Sequence, residues 1–277
     1  MTNPSPDAAL QDTLLRWYDA HARDLPWRRT RDPYAVLVSE IMLQQTQVAR
    51  VAPRFEAWLE RWPDIHALAA ATPADVLREW VGLGYNRRAL RLRECAQVVA
   101  RDGWPRDAAG LRGLPGVGPY TAAAVAAFAF GEVVAAVDVN HARVVSRVCA
   151  LGDAPPRVLA ARAQELVPPD RPDAWNHALM DLGATICRAR SADCPACPVR
   201  AACASAGAVR FAPRPAAGRP AVRFEDTDRY VRGRVIAALA AGDALPGDVG
   251  EERLERALAG LAQDGLVVRD GREVRLP

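Results

Sequence analysis

An all-α body carrying a small C-terminal appendage is the fold class this sequence predicts, on three observations. Apolar residues recur at three- and four-residue spacing as far as Cys187, and no stretch in that span alternates as a strand would. A Gly- and Pro-rich break at residues 111–121 hands over directly to an Ala-rich helical run. Beyond an Ala, Gly, Pro and Arg stretch at about 205–222, two more helical patterns precede two short alternating pieces around Asp270-Gly271, a hairpin signal. A length of 277 residues suits two compact domains, or one with an appendage.

Taken in order, residues 8–22 predict a first helix with Leu10, Leu14, Trp17 and Tyr18 on one face. The loop Leu25–Pro33 is rich in basic and turn residues. Helical spacing then runs from Tyr34 to about Arg61, with an interruption expected near Pro53. Further helices are expected at about 64–70, 73–81 and 86–101, and another from about Tyr120 to Phe130. A short apolar stretch leads to Asp138, followed by helices at about 141–150, 156–167 and 173–187. In the tail, Asp228–Gly242 and Gly250–Asp264 read as amphipathic helices, and with the terminal hairpin they resemble a small winged helix.

Half the residues are hydrophobic and a quarter charged, yet no apolar run approaches the roughly 18 residues of a membrane span. The first residues lack a basic segment followed by an apolar one, so a soluble protein with a cytoplasmic address is expected. The chain contains no lysine: all 36 basic residues are arginine. That excludes lysine Schiff-base chemistry, a lysine-bound pyridoxal cofactor and a P-loop. The net charge of +3 hints at an anionic partner, and arginine suits bidentate phosphate contacts.

Six cysteines divide into two groups. Cys95 and Cys149 stand alone in apolar helical patterns and read as small core residues. Cys187, Cys194, Cys197 and Cys203 follow C-x6-C-x2-C-x5-C in a Pro-containing loop, the pattern of an intracellular metal site. One tight pair with two outlying thiols favours a [4Fe-4S] cluster, with structural zinc or an unligated loop as the alternatives. Arg188, Arg190 and Arg200 would offset its charge.

Leu114-Pro-Gly-Val-Gly118 opens a helix, and Gly116 and Gly118 let backbone N–H groups approach an anion while the helix dipole attracts it. Alone, the same five residues read equally as an ordinary turn. Together with Asp138 in Val137-Asp-Val-Asn140 and the four-cysteine loop, the hairpin resembles the helix-hairpin-helix DNA glycosylases that carry an iron-sulfur cluster. The segment SEIMLQQTQV at 39–48, Gly82-Leu-Gly-Tyr85 and Met180-Asp-Leu-Gly-Ala184 narrow the resemblance to the MutY-type adenine glycosylases, over roughly residues 8–210.

The resemblance implies a six-helix barrel domain at 26–134, a cluster domain from 1–25 and 135–210, a linker at 211–225 and a winged-helix-like tail at 226–277. It implies a [4Fe-4S] cofactor, duplex DNA with a mispaired or damaged base as partner, no membrane, and a monomer working in the bacterial cytoplasm on the nucleoid. Glycosidic hydrolysis needs an acid for the departing base and a carboxylate for the sugar cation. Glu40 has Val36, Leu37, Leu43 and Gln44 at the i±3 and i±4 positions, so desolvation would keep it protonated as the acid. Asp138 precedes a helix whose N–H groups and dipole would hold it ionised. Without the resemblance, Glu40 reads as a solvent-facing helix residue and Asp138 as a plain N-cap.

By resemblance, Tyr120 assists at the sugar and Asn140 orients the carboxylate and water. Trp27 and Arg28 would line the adenine pocket, Gln45 and Tyr85 would wedge the flipped duplex, and Leu114, Gly116, Val117 and Gly118 would hold the DNA backbone. Where relatives commonly carry a second tyrosine after GLGY, this chain has Asn86. Of three rival readings, the first is ruled out by the absence of lysine and two remain at this point. An endonuclease III-type lyase would need a lysine where Tyr120 stands. A mismatch thymine or uracil glycosylase shares that tyrosine, and an iron-sulfur DNA-binding regulator would need neither Glu40 nor Asp138. The tail is too short for the Nudix-like domain that reads 8-oxoguanine in many adenine glycosylases.

Overall fold

The computed structural model describes residues 5–208, 223–271 and 273–277. Most of the expected linker therefore lies outside the described residues, and its last residues enter a 3-10 turn at Phe224–Asp226.

Local capping chemistry starts many of the helices. In α1 (Pro6–His21) the Ser5 hydroxyl accepts from the Ala8 N–H at 3.2 Å, with proline at the first position. A 3-10 turn at Pro26–Arg28 leads to α2 (Pro33–Leu43), where the Asp32 carboxylate accepts from the N–H groups of Tyr34 and Ala35. The interruption expected near Pro53 falls instead at Gln44–Gln47, and α3 (Val48–Arg61) runs through Pro53. Gln45 takes a left-handed φ of 56° there, while burial of Val51, Phe55 and Trp58 on one face holds α3 together despite the proline.

Asp64 caps α4 (Ile65–Ala70), and Thr72 caps α5 (Pro73–Trp80). α6 (Arg87–Asp102) stops at Gly103, whose φ is 82°. A four-residue helix, α7 (Ala108–Leu111), was not expected; Asp107 caps it by accepting from the Gly110 N–H at 2.7 Å. There follow α8 (Pro119–Phe130), α9 (Val139–Val148), α10 (Pro156–Glu165) and α11 (Pro172–Thr185). The tail contains α12 (Asp228–Ala241), α13 (Glu251–Gln263) and an antiparallel pair, β1 (Val268–Asp270) and β2 (Glu273–Arg275), with Val268 opposite Arg275.

Two compact units emerge. The first comprises Met1–Leu37, Pro105–Gly113 and Val117–Arg214, with α11 packed on α1, α8 and α9. Leu14, Val144, Trp175 and Leu182 are among its fully buried residues, and Phe128 stacks on His177 at 3.9 Å. The second comprises Val38–Trp104, Leu114–Gly116 and Pro215–Pro277. Here α6 packs on α4 and α5, Trp58 meets Trp62 and Trp80 edge-on, and α12 packs on both α5 and α13. The boundaries at 26–134, 135–210 and 226–277 cut the chain differently. The tail groups with Val38–Trp104 because α12 rests on α5, and α8 groups with the chain-end unit because it rests on α11.

Candidate active site

Asp138 is the N-cap of α9, with extended backbone. Its Oδ1 accepts from the N–H groups of Asn140 (2.9 Å) and His141 (2.6 Å), and its Oδ2 accepts from the Asn140 amide at 3.0 Å. Three donors thus fix the carboxylate in one orientation at a helix N-terminus. Asn140 is itself held, since its Oδ1 accepts from Arg143 Nη2 at 2.8 Å. Arg143 also donates to the carbonyls of Gly183 (2.7 Å) and Cys187 (2.9 Å), joining the Asp138 turn to α11 and to the first cysteine of the loop. A side chain at Gly183 would collide with Asn140, a Cβ there lying 2.7 Å from the Asn140 Cβ. His141 is buried with Nδ1 3.1 Å from the Ala136 carbonyl, and burial pushes its pKa down to about 4, so the ring is neutral.

Glu40 lies on α2, where every residue from Tyr34 to Met42 is buried; it is 6 % exposed. The solvent-facing alternative for Glu40 is therefore removed. Tyr120 is half-buried in the first turn of α8. Trp27 is buried in the 3-10 turn. Arg28 beside it makes a bidentate pair with Asp181 at 2.7 and 2.8 Å, and Arg23 Nε donates to the same carboxylate at 2.6 Å. Burial alone would raise Asp181, but the Arg28 bonds and charge, joined by Arg23, outweigh it and hold the carboxyl below its usual range.

The hairpin glycines have separate reasons. Gly116 takes a φ of 76° and comes so close to α6 that a Cβ would lie 2.8 Å from the Arg91 Cβ. Gly118 caps α8 and faces open space, which leaves the helix N-terminus accessible. Leu114 and Val117 are buried and anchor the turn.

Gln45 and Tyr85 are exposed, and both adopt left-handed φ angles, 56° and 47°. Such angles are uncommon outside glycine. One side chain supports both. Arg88 Nη1 donates to the carbonyls of Ile41 (2.7 Å) and Gln44 (2.5 Å), and Nη2 to those of Leu83 (3.1 Å) and Gly84 (2.9 Å). Burial lowers the Arg88 pKa to about 10, which leaves it charged.

Cys187, Cys194, Cys197 and Cys203 line a single cavity, partly open to solvent, with Val144, Leu182 and Val199 as apolar walls. Arg147 Nη1 donates to Cys187 Sγ at 3.3 Å, a contact made from α9 and not by Arg188, Arg190 or Arg200. Among the described residues no three His, Cys, Asp or Glu side chains converge on one point as a single ion requires. The four thiols around this cavity are the donor set that a [4Fe-4S] cluster would need, and thiolates are also donors that zinc accepts. Of the two isolated cysteines, Cys95 is fully buried, its thiol pushed by burial up to about 12, and Cys149 is half-buried against the core.

Arg88, Arg143, Arg147 and Gly183 were not among the residues singled out from sequence. Asp181 and Gly183 were visible only as letters of the segment at 180–184.

A capped carboxylate, a glycine hairpin opening α8 and a four-thiol cavity on a helical scaffold define a helix-hairpin-helix base excision repair protein. The family described as HhH-GPD superfamily base excision DNA repair protein matches residues 38–169. The chain belongs to the adenine DNA glycosylases: it is 49% identical over 238 residues to the adenine DNA glycosylase of Mycolicibacterium smegmatis, covering 82% of this chain and 78% of that protein. The Mycobacterium tuberculosis H37Rv relative is 44% identical over 286 residues, covering 95% of this chain and 92% of its own. The human adenine DNA glycosylase is 45% identical over 212 residues, 70% of this chain but only 39% of its own length. A solved thermostable thymine-DNA glycosylase superposes with a TM-score of 0.68 at 31% identity, over 74% of this chain and 98% of that one. Endonuclease III in a non-covalent DNA complex shares the fold, at TM-score 0.63 and 22% identity over 75% of this chain and 98% of its own. No helix among the described residues is long and apolar enough to cross a membrane.

Proposed function

We propose that the protein is a monofunctional glycosylase that releases adenine paired with 8-oxoguanine or guanine in duplex DNA and leaves the abasic strand uncut. The observation that carries the chemistry is the Asp138 carboxylate, aligned by three donors at the start of α9. As the bond between the sugar C1′ and the adenine nitrogen breaks, its electron pair leaves with the base and Asp138 faces the developing oxocarbenium ion. Glu40, within its buried segment, donates the proton that neutralises the departing adenine. Asn140 keeps the carboxylate oriented while water adds to C1′ and gives its proton to the Glu40 carboxylate, restoring the acid, and Tyr120 acts beside the sugar. Trp27 and Arg28 line the adenine pocket, Arg28 acting from the fixed position that Asp181 imposes.

Extrusion of the base falls to Gln45 and Tyr85, whose left-handed backbones project them from their loops. Leu114, Gly116, Val117 and Gly118 offer their backbone to a phosphate. Cys187, Cys194, Cys197 and Cys203 would hold a [4Fe-4S] cluster, which would supply covalent cross-links within this loop and a fixed local charge. The protein acts as a monomer in the bacterial cytoplasm. With Tyr120 following the hairpin and no lysine in the chain, no lysine amine is present to attack the sugar and cut the strand.

Likeness to the thymine-DNA glycosylase favours a second reading, removal of thymine or uracil opposite guanine. Single-turnover assays on A:8-oxoG, A:G, T:G and U:G duplexes, with and without alkali, separate the two. Adenine release with strand breaks only after alkali is expected. Release of pyrimidines alone would install the second reading, and breaks without alkali would contradict monofunctional chemistry.

A further inference from the structure

Several arginines of the second unit carry their own carboxylate: Arg61 pairs with Glu79, Arg234 with Asp248 and Arg269 with Glu255. Four others gather in one place. A recess of about 550 Å³, partly open to solvent, is lined by Arg87 and Arg88 from the start of α6 and by Arg229 and Arg232 from α12. Asp264 is the one carboxylate in its wall, and it is shared by Arg87 (3.3 Å) and Arg232. Arg88 is spent on backbone carbonyls.

Arg229 has no carboxylate partner among the described residues. Its Nη1 donates to the Tyr85 hydroxyl at 2.8 Å, and its guanidinium lies 4.7 Å from the centre of that ring. This holds the planar fork at the rim beside Tyr85, with other N–H donors left for an acceptor. A guanidinium fork backed by uncompensated positive charge is the arrangement that binds a phosphate with two parallel bonds.

We propose that this recess is a binding site for a phosphodiester of the DNA, formed by Arg229 with Arg87 and Arg232, and that the C-terminal tail is therefore a second DNA-contacting element. The site rests on DNA being the substrate and on Tyr85 meeting that duplex. A strand that reaches Tyr85 brings a phosphate to the guanidinium hydrogen-bonded to its hydroxyl.

Equilibrium binding of an undamaged duplex, measured across a series of salt concentrations, tests the site. Removing one phosphate contact lowers the slope of log K against log salt by about 0.9 and weakens all sequences alike. Arg229→Ala is expected to show that loss. Arg229→Gln, which retains a donor for the Tyr85 hydroxyl, is expected to show it too, and Arg229→Lys to keep the parental slope. Thermal unfolding and cluster absorbance confirm that the variants fold. A parental slope in folded Arg229→Ala and Arg229→Gln overturns the site, even if base release slows, because a positioning effect on Tyr85 alone moves the rate and not the slope. An undamaged duplex offers no base for excision, so an error in the assigned base specificity leaves this measurement intact.

Discussion

Alanine at position 183 would put a methyl carbon 2.7 Å from the Asn140 Cβ and 3.2 Å from its carbonyl oxygen, where ordinary contact begins at 3.4 Å. The start of α9 and the middle of α11 must therefore separate by about 0.7 Å, with no flexible side-chain tip to absorb it. Asn140 holds Asp138 through one bond of 3.0 Å, so most of that shift passes to the carboxylate. A misplacement near 1 Å costs about 100-fold in rate, which puts Gly183→Ala about 10- to 100-fold below the parent in single-turnover adenine release. Overpacking costs about 1–3 kcal/mol, partly offset by the roughly 1 kcal/mol that alanine gains over glycine within a helix, so the thermal midpoint should move by only a few degrees. Duplex affinity should hold, since no DNA-facing group is altered. Adenine release at the parental rate by a well-folded Gly183→Ala protein would refute the claim that this close approach sets the Asp138 geometry.

Asp138→Asn should abolish base release while retaining duplex binding; measurable release at the parental rate would take Asp138 out of the mechanism. Asp181→Asn leaves Arg28 and Arg23 beside a neutral amide, at a cost of about 3–5 kcal/mol, and calorimetry should show a drop on the order of 10 °C; a midpoint unchanged within two or three degrees would mean the pair is dispensable. His141 and His177 are neutral, burial lowering their pKa values to about 4 and about 3. As pH falls below the ordinary value of 6.5 the unfolded chain takes up these protons first, so the stability they allow is whole above that pH and is lost on the way down to 4 and 3. At pH 5 each accounts for about 2 kcal/mol, so urea midpoints should fall steeply from pH 7 to pH 5 in the parent and less in His177→Gln; identical pH slopes would refute this.

Helix starts were legible because caps are local: Asp64, Thr72 and Asp138 sit within three residues of the N–H groups they accept from. The carboxylate at the head of α9, the cysteine spacing and the apolar setting of Glu40 could be read for the same reason. What escaped depends on distant partners. The chain breaks at Gln44–Gln47 and not at Pro53 because Arg88, far along the sequence, takes the carbonyls that would have continued α2. What fixes Arg28 could not be read locally, because its partner Asp181 lies 153 positions away. Gly183 has no local signature, since its reason for being glycine is the Asn140 side chain on another helix.

The shared support beneath Gln45 and Tyr85 has a genetic consequence. Arg88 addresses backbone oxygens on both loops through a planar fork, a pattern that the three donors of a lysine ammonium cannot reproduce. The two residues are therefore not independent variables. A change at position 88 would loosen both loops at once, and a later substitution at either tip would do less harm in that background than in the parent. Such epistasis ties segments distant in the gene into one inherited unit.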